Sequence, residues 1–265
     1  MYNHFQLAKK YLHYFLTASS GKGHGIHSPF VFDFIKNVLR DKKQYDCYNK
    51  IERQRQQLKE DNTLIEVEDF GAGSTVIKTN SRVVKDIANS SLKPKKYAQL
   101  LFRMVQYYKP ATIIELGTSL GITSSYLSSG SSNAKLYTCE GATSIAAIAQ
   151  ETLNALQLKN IEIIKGDFAK TLPLLFSKIE KADFAFIDGN HRKEPTLQYF
   201  QQLLNHSTTS TILIFDDIHW SADMEAAWAS IQQNEAVTLT IDLFFLGLVF
   251  INPDFKVKQH FTIRF

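Results

Sequence analysis

The sequence predicts an α/β fold in which helices cover a mostly parallel β-sheet. From residue 111 onward, short apolar runs alternate with longer amphipathic runs, which is typical of repeated β-α units. Two strand-like runs then follow each other without room for a helix, and this indicates a β-hairpin. We therefore expect a doubly wound, mostly parallel seven-stranded sheet with an antiparallel hairpin strand, preceded by a helical N-terminal extension.

Five β-α units account for residues 112–233. In each, a short apolar run is followed by a run with helical spacing. The predicted strands are TIIELG (112–117), KLYTCE (135–140), IEIIKGD (161–167), ADFAFIDG (182–189) and TILIFDDI (211–218). The predicted helices are ITSSYLSSG, SIAAIAQETLNALQL, KTLPLLFSKI, PTLQYFQQLLNHS and SADMEAAWASIQQ. Pro195 is placed to open the fourth helix and Ser221 to cap the fifth.

The two ends of the chain differ from this repeat. The run VTLTIDLFFLGLVFIN (237–252) predicts the hairpin, and VKQHFTIRF at the C-terminus could add one more strand. The first 110 residues are mainly helical, basic and interrupted by the loop GKGHGIHSPF. We therefore divide the chain into a helical basic extension or cap (1–96) and a main domain (97–265).

Composition excludes several classes of protein. The chain has 265 residues, of which 44% are hydrophobic and 21% charged, as in soluble globular proteins. No apolar run approaches the roughly 20 residues that span a bilayer, and the N-terminus lacks the apolar core of a signal peptide. Two cysteines, Cys47 and Cys139, give neither a disulfide framework nor metal-ligand spacing. A cytoplasmic protein without membrane partners is expected.

Charge is unevenly distributed along the sequence. Residues 1–110 carry 19 Lys and Arg against 10 Asp and Glu, whereas residues 111–265 carry 11 against 16. Such a split can mark a basic face for an acidic substrate or nucleic acid. A solvated helical surface explains it more simply, because Lys and Arg usually cover surface.

Two glycine-rich stretches compete as a nucleotide-binding loop: DFGAGST (69–75) and ELGTSLGIT, which begins at Glu115. A ligand in such a sheet lies beyond the carboxyl ends of buried strands. The residues around Glu115 are apolar, whereas three carboxylates interrupt LIEVEDF (64–70), which is unsuitable for an interior parallel strand. A second carboxylate, Glu140, ends the next strand, where a ribose would need it. We therefore assign the working loop to ELGTSLG.

The spacing in this loop separates classes of ligand. A dinucleotide site requires G-x-G-x-x-G, but Gly117, Ser119 and Gly121 give G-x-S-x-G after an acid. The same pattern is found at the nucleophile of α/β-hydrolases. We disfavour that reading, because a glycine loop after the first of five units suits cofactor binding better.

On these motifs, residues 97–252 resemble the class I S-adenosylmethionine-dependent methyltransferases, which have a Rossmann-like fold. The resemblance implies that Glu115, Gly117, Ser119 and Gly121 line the methionine end of S-adenosylmethionine. It also implies that Glu140 holds the ribose and that Asp167 lies beside the adenine. Taken alone, Asp167 is equally well explained as a helix N-cap.

Three carboxylates are expected at neighbouring strand ends. Asp188 ends the fourth strand, and Asp216 and Asp217 end the fifth. Like charges in one crevice are unfavourable unless a cation neutralises them, and oxygen ligands suit Mg²⁺ or Mn²⁺. The alternative is that Asp216 and Asp217 cap a turn while Asp188 contacts only the cofactor.

The acidic cluster resembles that of the metal-dependent O-methyltransferases, both the catechol and the antibiotic-sugar groups. The resemblance implies that Asp188, Asp216 and Asp217 bind a metal and that the acceptor is a small molecule with a hydroxyl group. The catechol enzymes have a lysine base three positions after the first metal aspartate, whereas this chain has His191. His191 is therefore the predicted general base, with Asp188 beside it, and His219 is the second choice. Trp220 could line the acceptor pocket, or it could simply belong to the core.

Other functions remain open on sequence alone. A methyltransferase of the same fold could act without metal on nitrogen or on nucleic acid, although we do not expect a nucleic-acid partner. A nicotinamide-dependent oxidoreductase is disfavoured because the third glycine of the loop is missing. A non-catalytic cofactor-binding protein is disfavoured because the acidic residues at the expected strand ends are all present. A homodimer is compatible with the sequence.

Overall fold

The structure is a computed structural model that describes residues 1–67 and 81–265. The described chain divides into two compact units. The first joins Met1–Asp41 to Ile179–Phe265, and the second is the segment Lys42–Lys178. Within the described ranges, no helix has the length and apolar character needed to cross a membrane. The stretch DFGAGST (69–75), weighed as a rival loop, lies outside the described residues.

The first unit begins with two helices that have clear start signals. Helix α1 (His4–Thr17) is preceded by Asn3, whose side chain accepts from the Gln6 N–H while the Gln6 side chain accepts from the Asn3 N–H. This reciprocal pair is a capping box. Helix α2 (Pro29–Phe34) begins with proline after the cap Ser28 and continues into a π-helical turn, Ile35–Leu39.

The second unit is built from helices packed on a short parallel sheet. Its elements are α3 (Asp46–Glu60), β1 (Leu64–Glu66), β2 (Ser81–Val83), α4 (Val84–Ser91), α5 (Lys95–Tyr108), β3 (Thr112–Leu116), α6 (Ile122–Gly130), β4 (Lys135–Glu140), α7 (Thr143–Ala155), β5 (Ile161–Lys165) and α8 (Phe168–Phe176). Strand β4 pairs in parallel with both β3 and β5. Strand β3 is buried from Ile113 to Leu116, as its apolar run predicts.

Strands β1 and β2 form a separate antiparallel pair in the second unit. Leu64 and Glu66 are exposed in β1. This segment is therefore not an interior strand of the parallel sheet. The carboxylates in its sequence predict that it is not.

The first unit continues after residue 179 with the remaining strands. Its elements are β6 (Ala182–Ile187), α9 (Lys193–Asn205), β7 (Ser207–Asp216), α10 (Ala222–Gln233), β8 (Leu239–Asp242), β9 (Leu246–Phe250) and β10 (Gln259–Thr262). In the order β10-β8-β9-β7-β6, strand β9 is antiparallel to both neighbours, and the other described pairs are parallel. Strands β6, β7, β8 and β10 therefore end at the same edge.

The predicted class, an α/β fold with a mostly parallel sheet and an antiparallel hairpin strand, is confirmed. Strands β3 to β10 number eight rather than seven, because the C-terminal run forms β10 beside β8. Helix α9 begins at Lys193, so Pro195 lies in its first turn rather than at its first position. Ser221 caps α10 by accepting from the Met224 N–H at 3.1 Å, as predicted. The division of the chain at residue 96 stays a prediction.

Candidate active site

The glycine loop follows β3 and turns sharply into α6. Gly117, Ser119 and Gly121 have φ angles of 105°, 48° and 83°, in the left-handed region that glycine adopts without steric cost. The N–H groups of Gly117 and Thr118 both donate to the Cys139 carbonyl, at 3.0 and 3.2 Å. These bonds hold the loop against the end of β4, so that α6 begins at the carboxyl edge of the sheet.

Glu115 is fully buried beneath this loop. Its Oε2 accepts from the Thr138 hydroxyl at 2.6 Å and from the Ser124 hydroxyl. One carboxylate therefore ties β3 to both β4 and α6, and it shapes the loop from inside the unit. Its predicted contact with the methionine end of the cofactor stays a prediction.

Glu140 links the end of β4 to the same loop. Its Oε2 accepts from the Ser119 N–H at 2.9 Å, and its Oε1 accepts from the Ala142 N–H at 3.0 Å. A carboxylate oxygen can accept more than one hydrogen bond. The side chain is therefore fixed in orientation and chemically suited to receive hydroxyl groups of a ligand.

Asp167 serves as the N-cap of α8. Its side chain accepts from the Ala169 N–H at 3.0 Å. The capping role anticipated from the sequence is present, and a role beside the adenine stays a prediction.

A cluster of metal-ligand type lies at the ends of β6 and β7. Asp188, His191 and Asp216 each place one potential ligand atom within 4.8 Å of the other two. His191 Nε2 lies 3.5 Å from Asp188 Oδ1. Asp216 is buried, whereas Asp188 and His191 are partly exposed. The structure thus brings together the predicted base and two of the three predicted metal ligands.

A left-handed turn directs His191 back toward the strand end. Asn190 and His191 have φ angles of 66° and 26°, values that are uncommon for residues other than glycine. The Asn190 amide donates to the Tyr199 hydroxyl at 3.2 Å. The imidazole meets the Trp220 ring edge-on, with centroids 5.4 Å apart. Tyr199 and Trp220 therefore fix the turn and the ring.

Asp217, the third predicted metal ligand, is not part of this cluster. It adopts a left-handed φ of 53°, and its N–H donates to the Phe245 carbonyl at 2.7 Å. Asp217 lies just beyond the end of β7, and this left-handed turn accounts for its absence from the cluster. Its role as a ligand stays a prediction.

His219 belongs to a charged network that the sequence did not reveal. Its Nδ1 lies 3.1 Å from Glu225 Oε1 and its Nε2 lies 2.7 Å from Asp242 Oδ2. Burial lowers the pKa of His219, but hydrogen bonds to Asp242 and Glu225 outweigh it, so the pKa is raised overall. A ring that donates to two carboxylates carries both protons. His219, the second candidate for the base, is therefore poorly suited to accept one.

Glu225 is the centre of this network and connects α10 to α1. It accepts from the Tyr2 hydroxyl at 2.7 Å and from the Lys10 ammonium at 2.9 Å. Burial raises the pKa of Glu225, but bonds from Tyr2, Lys10 and His219 more than offset it, so the pKa is lowered overall. These partners lie 215 or more positions away, apart from His219. Only an acidic residue in the first turn of α10 could have hinted at the network.

Residues 114–218 match the family described as methyltransferase domain. This span includes the loop, Glu140, Asp167 and the cluster. The resemblance of this part of the chain to the S-adenosylmethionine-dependent methyltransferases, predicted from its motifs, is confirmed.

Solved structures with the same fold include methyltransferases from bacteria and a fungus. An O-methyltransferase from Bacillus cereus in complex with S-adenosylhomocysteine is 20% identical, with a TM-score of 0.53 over 83% of this chain and 97% of that one. A second structure is TomG, an O-methyltransferase from Streptomyces achromogenes that is involved in tomaymycin synthesis and was solved with S-adenosylmethionine. It is 16% identical, with a TM-score of 0.56 over 79% of this chain and 91% of that one.

The S-adenosylhomocysteine-bound methyltransferase PaMTH1 from Podospora anserina is 12% identical, with a TM-score of 0.57 over 95% of this chain and 97% of that one. Comparison with curated protein sequences gives no significant match. At these identities the structural likeness shows the shared fold.

Proposed function

We propose that the protein is an S-adenosylmethionine-dependent O-methyltransferase that acts on a small-molecule hydroxyl acceptor with the help of a divalent cation. The match of residues 114–218 to a methyltransferase domain carries the proposal, because it spans every predicted cofactor residue and the acidic cluster. Two of the solved neighbours are named O-methyltransferases. We further propose that the enzyme is cytoplasmic and that it forms a homodimer.

The cofactor site is assigned to the loop and the strand ends of the second unit. Gly117, Ser119 and Gly121 let the backbone approach the methionine end, and Glu115 holds the loop in shape. Glu140 accepts the ribose hydroxyls, and its orientation is already set by the Ser119 and Ala142 N–H groups. Asp167 is assigned to the adenine side. These roles require ordered backbone turns rather than large side-chain movements.

The cluster of Asp188, His191 and Asp216 fits a divalent cation. Two carboxylate oxygens within 4.8 Å of each other, with the His191 imidazole beside them, make a suitable partial donor set. Carboxylates favour Mg²⁺ or Mn²⁺. When bound, such a cation would favour the deprotonated form of the acceptor hydroxyl. Asp188 and Asp216 would hold it.

His191 is assigned the proton transfer. Its Nε2 takes the proton from the acceptor hydroxyl while the acceptor oxygen attacks the methyl carbon of S-adenosylmethionine. The bond between carbon and sulfur breaks, and S-adenosylhomocysteine leaves with the electron pair on sulfur. Trp220 and the left-handed turn keep the ring at the strand end, which supplies the positioning that general-base catalysis requires.

The cofactor assignment is tested by calorimetric titration with S-adenosylhomocysteine. We expect Glu140→Gln to weaken binding by roughly tenfold or more, since a hydrogen bond to a charged group contributes about 1.5–3 kcal/mol. The control is Glu162→Gln, a strand glutamate in the same unit whose side chain is 42% exposed. Equal affinity in both variants would remove the ribose role. Binding of NADH in place of S-adenosylhomocysteine would overturn the proposed function.

The metal assignment is tested by electron paramagnetic resonance of bound Mn²⁺. We expect Asp188→Asn and Asp216→Asn to abolish tight binding, whereas the exposed Asp223→Asn should not change it. If Asp217→Asn also abolishes binding, Asp217 is a ligand, as the sequence resemblance implies. Coupling of Mn²⁺ to a nitrogen that disappears in His191→Gln would make His191 a ligand instead of the base. Turnover unaffected by a chelator would leave a methyltransferase that needs no metal.

A further inference from the structure

A cavity of about 600 Å³ in the first unit lies between α1 and the ends of β8 and β10. One wall consists of the α1 side chains Gln6, Lys9 and His13, spaced three to four residues apart on one helix face. Asp242 and Thr262, the last residues of β8 and β10, contribute to the opposite side. Its volume is within the range of small-molecule sites.

The position of this cavity in the sheet points to a substrate. Strands β8 and β10 run in the same direction as β7, and ligands of open α/β sheets bind beyond the carboxyl ends of their strands. Strand β9 separates β7 from β8, so Asp216 and Asp242 end strands about 10 Å apart, or two strand spacings. The cavity therefore opens along the edge that carries the acidic cluster.

A direct contact chain joins the cavity to that cluster. Tyr2 lines the cavity, and its N–H donates to the Trp220 carbonyl at 3.1 Å. The Trp220 ring in turn contacts the ring of His191. The residue that supports His191 is thus bonded to a residue of the cavity wall.

The charges around the cavity leave one cation without a counter-ion. Glu225 and Asp242 are each bonded to His219, and Lys10 is bonded to Glu225. These four groups neutralise one another. Lys9 also lines the cavity, but within residues 1–67 and 81–265 its ammonium makes no hydrogen bond or ion pair. The cavity therefore favours an anion near Lys9.

We propose that this cavity holds the distal, anionic end of the methyl acceptor, a molecule whose carboxylate or phosphate lies about 10 Å or more from the hydroxyl that is methylated. The inference rests on the proposed function and specifies its substrate class. Lys9 binds the anion, while Gln6 and His13 offer further polar contacts. The aromatic side of Phe244, which also lines the cavity, packs against the linker of the acceptor.

The test compares two probes with the same scaffold, one anionic and one uncharged. The first is 5-(3,4-dihydroxyphenyl)pentanoate, whose four-methylene spacer reaches from the cluster to the cavity, and the second is its methyl ester. Each is titrated calorimetrically into protein saturated with S-adenosylhomocysteine and Mg²⁺. We expect the acid to bind more tightly than the ester. We expect Lys9→Gln to lower the affinity for the acid by about two- to fivefold, which is the effect of losing an exposed ion pair. The affinity for the ester should be the same in the native protein and in Lys9→Gln.

The matched control is Lys36→Gln, which removes an exposed charge from the same unit but does not line the cavity. It should leave the affinity for the acid unchanged. Equal affinity for acid and ester, no binding of the acid, or equal effects of both substitutions would overturn the inference. Methyl transfer to catechol is measured separately in the same preparations. If catechol is methylated but the acid shows no preference for the cavity, the cavity assignment is wrong and the proposed function is retained.

Discussion

At the level of single residues, His219 makes the stability of the protein depend on pH. Its ring donates to Glu225 and Asp242, and these bonds raise its pKa above the ordinary value despite burial. A raised pKa means that the folded state binds the proton more tightly than the unfolded state does. The stabilisation is therefore complete below the unfolded pKa of about 6.5 and is lost as pH rises through the folded pKa.

We expect His219→Asn to lower the free energy of unfolding at pH 6 by about 1–3 kcal/mol, because the buried Asp242 and the partly buried Glu225 lose a charged donor. The loss should be smaller at pH 9 than at pH 6, because a rise in pH favours loss of the proton from the native histidine. Chemical denaturation at the two pH values measures both quantities. His24→Gln, at an exposed loop histidine, serves as control. A loss that grows with pH would contradict the prediction.

The sequence could identify residues that lie at the ends of neighbouring strands, but not residues whose partners are far away in the chain. Asp188 and His191 follow β6 and Asp216 ends β7, so parallel topology alone predicts that they meet. The separation of Asp217 depends on the conformation of one turn, which residue order does not specify. Glu225 gave no signal, because its partners Tyr2 and Lys10 are brought to it only by the complete fold of the first unit.

At the level of elements, strand β9 packs tightly under α10. A methyl group added at Gly247 would lie 2.6 Å from Cζ3 of the Trp228 ring and 3.0 Å from Cγ2 of Ile218. Both distances are shorter than ordinary carbon contacts. Glycine at this position therefore allows the tryptophan ring to lie directly on the strand.

We expect Gly247→Ala to destabilise the protein by about 1–3 kcal/mol, as overpacking of a core does. Trp228→Phe removes the ring atoms that clash, so the double variant should lose less than the two single variants together. Thermal or chemical denaturation of the four proteins measures the coupling. Strict additivity would show that the tryptophan ring is not what the methyl group meets.

Elements were predictable where local pattern and packing agree. The apolar run of β3 and the cap of α10 were read directly from sequence, and the structure confirms both. Helix α9 begins two residues before Pro195, because proline is tolerated throughout a first turn and does not mark one position. The pair β1 and β2 was missed because each strand has only three residues.

At the level of the whole molecule, cofactor binding should raise stability. A ligand that binds only the folded protein adds about 2.7 kcal/mol at a concentration of 100 times its Kd. We expect S-adenosylhomocysteine at that excess to raise the denaturation midpoint of the native protein. At the same concentration Glu140→Gln should show a smaller rise, and Glu162→Gln the full one. A rise with NADH but none with S-adenosylhomocysteine would contradict the assignment.

The first unit has a consequence for how the protein is made. Helix α1 is synthesised long before its partners, since Lys10 and Glu225 are 215 positions apart, and the Tyr14 hydroxyl donates to the carbonyl of Ile263. A 14-residue helix is only marginally stable alone. On the ribosome, therefore, this segment emerges with Tyr14 and Ala18 still uncovered, because Phe244, which packs with them in the folded protein, is synthesised much later. It has to wait for residues 179–265, which makes it a natural target for chaperones during translation.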